Sequence, residues 1–287
     1  MCQDCACAMP GGTGQSSPLA DAQGAAPVSA AASGLRTVIR SPATATVHDA
    51  TRPEQRREPA LAGPLQTLSL GRQLLERNAA LALANRHRFE TAGVQAVNLL
   101  SSPGSGKTAL LEALARLATA ASPPPRLAAL VGDLATELDA RRLEAAGLPA
   151  VALTTGQACH LDAALVARGL EALEARGLPL ASLDLLLIEN VGNLVCPAAY
   201  DLGEQRRVVL LAVGEGEDKP LKYPASFHSA DLVVLSKLDL AEAVGFDQPQ
   251  ALATINAVAP RAEVQPVSAR SGAGLEALLA RLLAPRP

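Results

Sequence analysis

Aromatic residues are nearly missing from this chain: three Phe, two Tyr and no Trp make up 2% of 287 residues. Base-stacking platforms of the kind that hold single-stranded nucleic acid are therefore not expected, and a core has to be built from Ala, Leu and Val. Histidine is also scarce, with four in all, so no His-rich metal-storage tract exists. Positive charge is not in excess, the net charge being −3, which argues against a nucleic-acid partner. No apolar run is long enough to span a bilayer. Met1 is followed by cysteines rather than by a basic and then an apolar segment, so no signal peptide is expected either. The expectation is a cytoplasmic protein whose cysteines stay reduced and serve metal ligation or thiol chemistry.

What the chain does have is a 49% hydrophobic, 18% charged, globular composition, in a length that allows one or two domains. The cysteines are concentrated at the start: MCQDCAC places Cys2, Cys5 and Cys7 within six residues. Three such thiolates suit Zn²⁺, Ni²⁺ or Cu⁺. With Met1 removed, the Cys2 α-amine becomes a fourth donor, and amine plus thiolates in one plane favour Ni²⁺. An inert tail is the alternative. Residues 10–64 are rich in Ala, Gly, Ser, Thr, Pro and Arg, with hardly an apolar period. Such a segment cannot bury enough surface to offset ordering entropy, and it reads as a flexible linker. Order is expected from Leu65, giving three parts: a metal motif at 1–9, a linker at 10–64 and a nucleotide-binding domain at 65–287.

That domain is expected to open with an amphipathic helix of about six turns ending near Gly93, its stripe being Leu70, Leu74, Leu81 and Phe89. Apolar runs then alternate with helical ones: Val94–Leu100, Leu127–Gly132, Pro149–Leu153, Leu183–Glu189, Arg207–Val213, Leu232–Ser236 and Val264–Val267. Continuous apolar strands between helices mean a mostly parallel, seven-stranded α/β sheet covered on both faces. Ligands in such sheets sit at the carboxyl ends of the strands.

The first strand runs into SSPGSGKT, Ser101 to Thr108, and a helix follows. This is the order a phosphate-binding loop requires. Ser102, Gly104, Ser105, Gly106, Lys107, Thr108 and Ala109 are the candidate cradle, with N–H groups around the phosphates and the helix N-terminus adding partial charge. Lys107 would reach the β- and γ-phosphates, and Thr108 would ligate Mg²⁺. Ser101 stands where Gly is usual. After the strand LVVL, Ser236–Asp239 reads SKLD, similar to the guanine-selecting motif of GTPases. Asp239 can accept from guanine N1–H and the 2-amino group, which adenine does not offer in that arrangement. The Lys237 stem would pack on the base, and Ser268 and Ala269 resemble the loop that meets guanine O6. The strand DLLLIE ends at Glu189, the acid for Mg²⁺, and Gly192 would offer its N–H to the γ-phosphate. Asp133 and Asp139 are further candidates for Mg²⁺ or for orienting the attacking water, with helix capping as the alternative.

Cys159 and His160 share one loop, and Cys196 lies four residues after Gly192. Together they make a plausible three-donor metal set, with buried small hydrophobes as the alternative for the two cysteines. A ligand at Cys196 would feel the nucleotide through a few residues of backbone.

MCQDCAC, SSPGSGKT, TTGQACHLDA, IENVGNLVCP, GEGEDKPLKYP and SKLDL together resemble the hydrogenase-maturation nickel-incorporation GTPases, the HypB family. The resemblance spans about Leu65 to the C-terminus plus the first seven residues. It implies a P-loop GTPase of the signal-recognition and nitrogenase-iron-protein class, with GTP/GDP and Mg²⁺ as cofactors and a GTP-dependent homodimer. It also implies Ni²⁺ delivery to a hydrogenase large-subunit precursor together with the zinc protein HypA. Carried over, Cys2, Cys5 and Cys7 would hold nickel tightly, and Cys159, His160 and Cys196 would hold Ni²⁺ or Zn²⁺ at the dimer interface. Two features depart from the family: Ala6 replaces the usual Gly between the last two N-terminal cysteines, and the His-rich stretch of some members is missing. The rival readings are a metal-sequestering protein whose nucleotide site only stabilises the fold, and a nickel GTPase serving urease.

Overall fold

A computed structural model describes residues 64–156 and 158–285, with side chains from residue 72 onward. The cysteine motif at 1–9 lies outside the described residues, as does the linker at 10–64 apart from Pro64.

The order is α1 (Pro64–Ala92), β1 (Gln95–Ser101), α2 (Lys107–Ala120), β2 (Leu127–Asp133), α3 (Leu138–Ala145), β3 (Ala150–Thr154), α4 (Ala163–Ala175) and β4 (Leu185–Glu189). There follow β5 (Arg206–Ala212), α5 (Lys219–Lys222), α6 (Pro224–His228), β6 (Leu232–Ser236), α7 (Gln248–Val258), β7 (Glu263–Pro266) and α8 (Leu275–Leu283). The seven strands form one sheet in the order β3-β2-β4-β1-β5-β6-β7, and every pairing is parallel. The expected seven-stranded parallel sheet is thus the observed one.

Strand alternation sends consecutive side chains to opposite faces, and each face has its own core. Val97, Leu99, Leu185 and Leu187 pack with Leu111 and Leu114 of α2 and Leu278 and Leu282 of α8. Ala96, Leu186 and Ile188 face the other way, with Phe89 of α1 and Val166 and Leu170 of α4. Beyond β5, Val209, Leu211, Val233 and Leu235 cover Phe227 of α6 and Ile255 of α7. Both faces being dry is why the strands read as unbroken apolar runs.

α1 departs from expectation in length and in face. It has 29 residues, or about eight turns. Of the expected stripe, Leu74 is 60% exposed, Leu81 half-buried and Phe89 buried, while the buried row is Asn78, Ala82, Asn85 and Phe89. The surface beneath α1 offers backbone groups, so asparagine amides dock better there than leucines. Asn78 donates to the Asp201 carbonyl at 2.8 Å and accepts from the Ala163 N–H at 2.9 Å. Asn85 donates to the carbonyls of Ala163 and Leu202 at 2.9 and 3.1 Å. The contact also needs Gly203, because a Cβ there would stand 2.5 Å from the Ala82 carbonyl oxygen. α7 is a helix the apolar pattern does not announce. Its signals are local: Asp247 caps the N–H of Gln250 at 2.9 Å, and Pro249 occupies the first turn.

Candidate functional site

β1 carries the phosphate-loop sequence to the carboxyl edge of the sheet, where β4 and β5 flank it on either side. Lys107 and Thr108 open α2 and are buried. The Lys107 ammonium donates to the hydroxyl of Ser101 at 2.7 Å, and Ser101 in turn donates to the Ser102 carbonyl at 2.8 Å. Ser at the usual Gly position therefore has a defined job, holding the lysine in place. Burial pushes the Lys107 pKa down, against the pull of Glu189, Asp139 and Glu215.

Glu189 ends β4 at 4% exposure. One carboxylate oxygen accepts from the Thr108 hydroxyl at 2.8 Å, and the other has no hydrogen-bond partner. Burial drives its pKa up to about 7, with Lys107 and the Thr108 hydroxyl opposing. A buried orphan oxygen beside a hydroxyl is the donor chemistry a hard cation needs, so these two residues fit Mg²⁺.

Around them is a cavity of about 420 Å³ that also includes Asp133, Asp139 and Gly192. Asp133 spends one oxygen on the N–H groups of Ala135 and Thr136, at 2.8 and 2.6 Å. The Ala135 bond leads in holding its carboxyl below the ordinary range. A turn cap and a cavity lining are thus combined in one side chain. Asp139 is paired with Arg142 at 3.1 Å, and Arg142 also reaches Glu112 at 3.0 Å. Arg142 lines this cavity too, and no motif pointed to it. Gly192 packs against the phosphate loop itself: a Cβ on it would stand 3.0 Å from Pro103 Cα.

The SKLD segment lies beside the loop, on a second cavity of about 320 Å³ lined by Gly106, Ala109, Lys237, Asp239, Ala269 and Arg270, among others. Lys237 takes a left-handed backbone, with φ of 60°, and its ammonium donates to the Gly104 carbonyl at 2.7 Å. Ser236 donates to the Ser105 carbonyl at 2.8 Å. The motif thus braces the phosphate loop. Asp239 accepts from the Ser268 hydroxyl at 2.6 Å. The Ser268 N–H is already bonded to the Ala273 carbonyl, so its side chain, orienting Asp239, is what it brings to the site.

Cys159, His160 and Cys196 do come together: their donor atoms all lie within 4.8 Å of one another. The two sulfurs are 2.6 Å apart, and sharing one tetrahedral ion at ordinary metal–sulfur lengths would open them to about 3.8 Å. Both cysteines are only half-buried, which suits ligands better than core-filling residues. Hydrogen bonding with Cys196 holds the Cys159 thiol pKa up, and burial keeps that of His160 down. The His160 ring stacks on Tyr200 with centroids 3.8 Å apart, and its Nδ1 is buried with no partner. A neutral imidazole with a free nitrogen, beside two thiols, is a metal-type donor set. A larger cavity of about 560 Å³ lies at the opposite, amino ends of β5 to β7 among ion pairs such as Arg86–Asp201 and Arg207–Glu204. It shares no lining residue with the nucleotide cavity or with the Cys159, His160 and Cys196 cluster.

Fold and site define the class: a P-loop nucleotide-binding protein with a sulfur–imidazole cluster beside the nucleotide cavity. Residues 95–266 match the model of the CobW/HypB/UreG nucleotide-binding domain. HypB from Azotobacter chroococcum is 48% identical over 215 residues, covering 74% of this chain and 67% of that one. HypB from Escherichia coli K12 is 46% identical over 204 residues, covering 71% and 67%. A crystal structure of Helicobacter pylori HypB in complex with nickel superposes with a TM-score of 0.68 at 40% identity, covering 72% of this chain and 94% of that one. HypB from Archaeoglobus fulgidus gives 0.63 at 39%, covering 72% and 97%. The chain belongs to the CobW/HypB/UreG family, and within it to the HypB hydrogenase maturation factors.

Among the described residues no helix is long and apolar enough to cross a membrane.

Proposed function

We propose that this chain is a GTP-hydrolysing nickel metallochaperone that delivers Ni²⁺ to a hydrogenase large-subunit precursor, with metal release coupled to nucleotide state. The observation that carries this reading is the adjacency of the two clusters. Gly192 packs on Pro103 of the phosphate loop, and four residues further Cys196 joins Cys159 and His160.

In this reading Ser102, Gly104, Ser105, Gly106, Lys107, Thr108 and Ala109 cradle the GTP phosphates. Lys107 leaves Ser101 for the phosphate oxygens. Asp239, held by Ser268, selects guanine, with Lys237 and Ala269 completing the base site. Thr108 and Glu189, assisted by Asp133 and Asp139, would hold Mg²⁺, which supplies charge neutralisation at the phosphates when bound. Asp139 and Asp133 would orient the water that attacks the γ-phosphate, giving GDP and inorganic phosphate. Gly192 senses the γ-phosphate through its N–H, and the segment that follows carries the change to Cys196. Ni²⁺ or Zn²⁺ is the cargo of Cys159, His160 and Cys196, and nickel that of Cys2, Cys5 and Cys7. A GTP-dependent homodimer, a HypA-type accessory protein and a cytoplasmic setting belong to the same reading. So does the division into a cysteine motif at 1–9, a linker at 10–64 and a GTPase domain at 65–287.

The test is nickel and zinc titration of the full chain with Mg·GDP or with a non-hydrolysable GTP analogue. Different affinities in the two states support the switch, and equal affinities sink it. A second reading, delivery to urease, is favoured by one finding. The Helicobacter pylori relative, 38% identical over 78% of this chain and 91% of its own length, is named a hydrogenase/urease maturation factor. Activation assays on the two apo-enzymes separate the readings.

A further inference from the structure

Between the nucleotide cavity and the sulfur–imidazole cluster stands Asn190, a residue that neither cluster claims as a donor. Its side chain is 1% exposed. Its oxygen accepts two backbone N–H groups at 3.0 Å each, one from Leu161 and one from Val191. Leu161 directly follows His160. Val191 directly precedes Gly192. A single carboxamide oxygen therefore joins the metal loop to the phosphate-sensing segment.

The carboxamide is also anchored from behind. Its nitrogen donates to Asn98 at 3.3 Å, and Asn98 donates to Glu204 at 3.2 Å. Glu204 is held by Arg207 at 2.7 Å. The same guanidinium donates to the carbonyls of Ala198 and Tyr200, at 3.2 and 2.9 Å. Ala198 is two residues from Cys196, and Tyr200 carries the ring stacked on His160. On the other side, the Asn190 N–H is tied to the Leu99 carbonyl of β1. Buried amide and carboxylate groups this fully paired move as a unit or not at all, because each broken bond strands a polar atom away from water.

We propose that Asn190 is the positioning residue through which the nucleotide state reaches the metal cluster. Movement of Gly192 toward a γ-phosphate turns the Val191 peptide, and Val191 shares its acceptor with Leu161. The shared oxygen can satisfy both N–H groups only if the metal loop shifts with the sensor. The backbone from Gly192 to Cys196 moves one thiolate; Asn190 makes the His160 and Cys159 side follow. This deepens the proposed function and rests on its premise that nucleotide and metal are coupled.

The experiment is nickel titration of the full chain carrying Cys2→Ser, Cys5→Ser and Cys7→Ser, so that only the domain cluster is read. It is run with Mg·GDP and with a non-hydrolysable GTP analogue. The parent should show affinities differing by about 5-fold or more between states. Asn190→Ala should bring the ratio to within about 2-fold of unity while nucleotide affinity is retained, because coupling rather than either site is removed. Asn190→Asp keeps the shared oxygen but turns the donor facing Asn98 into an acceptor, so its ratio should fall between those of the parent and Asn190→Ala. If Asn190→Ala does not fold, Asn98→Ser decides, since it frees the carboxamide but leaves it in place; its ratio should fall. A folded Asn190→Ala with the parent ratio, or an undiminished ratio in Asn98→Ser, overturns the assignment to Asn190 alone. A parent ratio of unity overturns the coupled function and the assignment together.

Discussion

In this structure Lys107 donates to the hydroxyl of Ser101, 2.7 Å away, across the loop built for a triphosphate. The ammonium has no carboxylate partner among the described ion pairs. It is a buried charge waiting for one. Lys107→Ala should therefore cost little or no stability without nucleotide, yet reduce GTP turnover about 100-fold or more. Denaturant unfolding and phosphate release check the two halves. Ser101→Gly should leave turnover within a few fold while lowering nucleotide-free stability by about 1 kcal/mol.

Glu189 sets a pH dependence. Its pKa rises from an ordinary 4.5 to about 7, so between those values the folded chain binds more protons than the unfolded one. The nucleotide-free protein should lose stability as pH rises through that window, by up to about 3 kcal/mol from this group. Glu189→Gln should flatten the profile. With Glu189 as the proposed Mg²⁺ ligand, Mg·nucleotide affinity should fall as pH drops below about 7. Calorimetry from pH 5 to 8 reads both trends, and a wild-type profile identical to that of Glu189→Gln rejects the argument.

Gly192 has no room for a side chain. Gly192→Ala places a methyl 3.0 Å from Pro103 Cα and 3.2 Å from Pro103 N. It should destabilise the fold by about 1–3 kcal/mol. On the proposed role of Gly192 at the γ-phosphate, it should also reduce the preference for GTP over GDP. Competition binding with labelled nucleotides measures that preference.

At the metal cluster, Cys196→Ala or His160→Ala should weaken nickel binding at the domain site about 10-fold or more. Because burial keeps His160 below its ordinary pKa, its proton should compete with metal only below the usual histidine range. The Cys159 thiol is held up, so metal binding should release a proton from it, and affinity should rise with pH across the neutral range. Titration in buffers of different ionisation enthalpy counts those protons.

The proposed function gives base choice to Asp239. Asp239→Asn leaves one acceptor oxygen and sets an N–H donor against a guanine N–H donor, and it should cut GTP affinity about 100-fold. Ser268→Ala, which frees Asp239 to rotate and leaves the Ser271 N–H without its acceptor, should cost about 10-fold or less. Equal GTP and ATP affinities in the wild type would remove the role given to Asp239.

Much of this was legible along the chain. The alternation of dry strands and helices, and local signatures such as SSPGSGKT and SKLD, depend on neighbours in sequence, and they carried the α/β class, the strand count and the phosphate loop. The docking face of α1 was not legible. Its partners are carbonyls and N–H groups of residues more than seventy positions away, and Asn78 and Asn85 look like exposed polar residues until those groups are placed beneath them. The same holds for Arg142, which reaches the nucleotide cavity only because α3 packs beside α2. It holds for Asn190, whose bond to Leu161 spans 29 positions. By itself the sequence determined which chemistry the chain can carry, since residue types and short-range spacing decide what a loop can bind. Only the tertiary structure decided that Cys159, His160 and Cys196 meet, and that Gly192 lies on the phosphate loop. The first contact exists because β2 joins β3 to β4, and the second because β4 lies beside β1, pairings that no local stretch encodes.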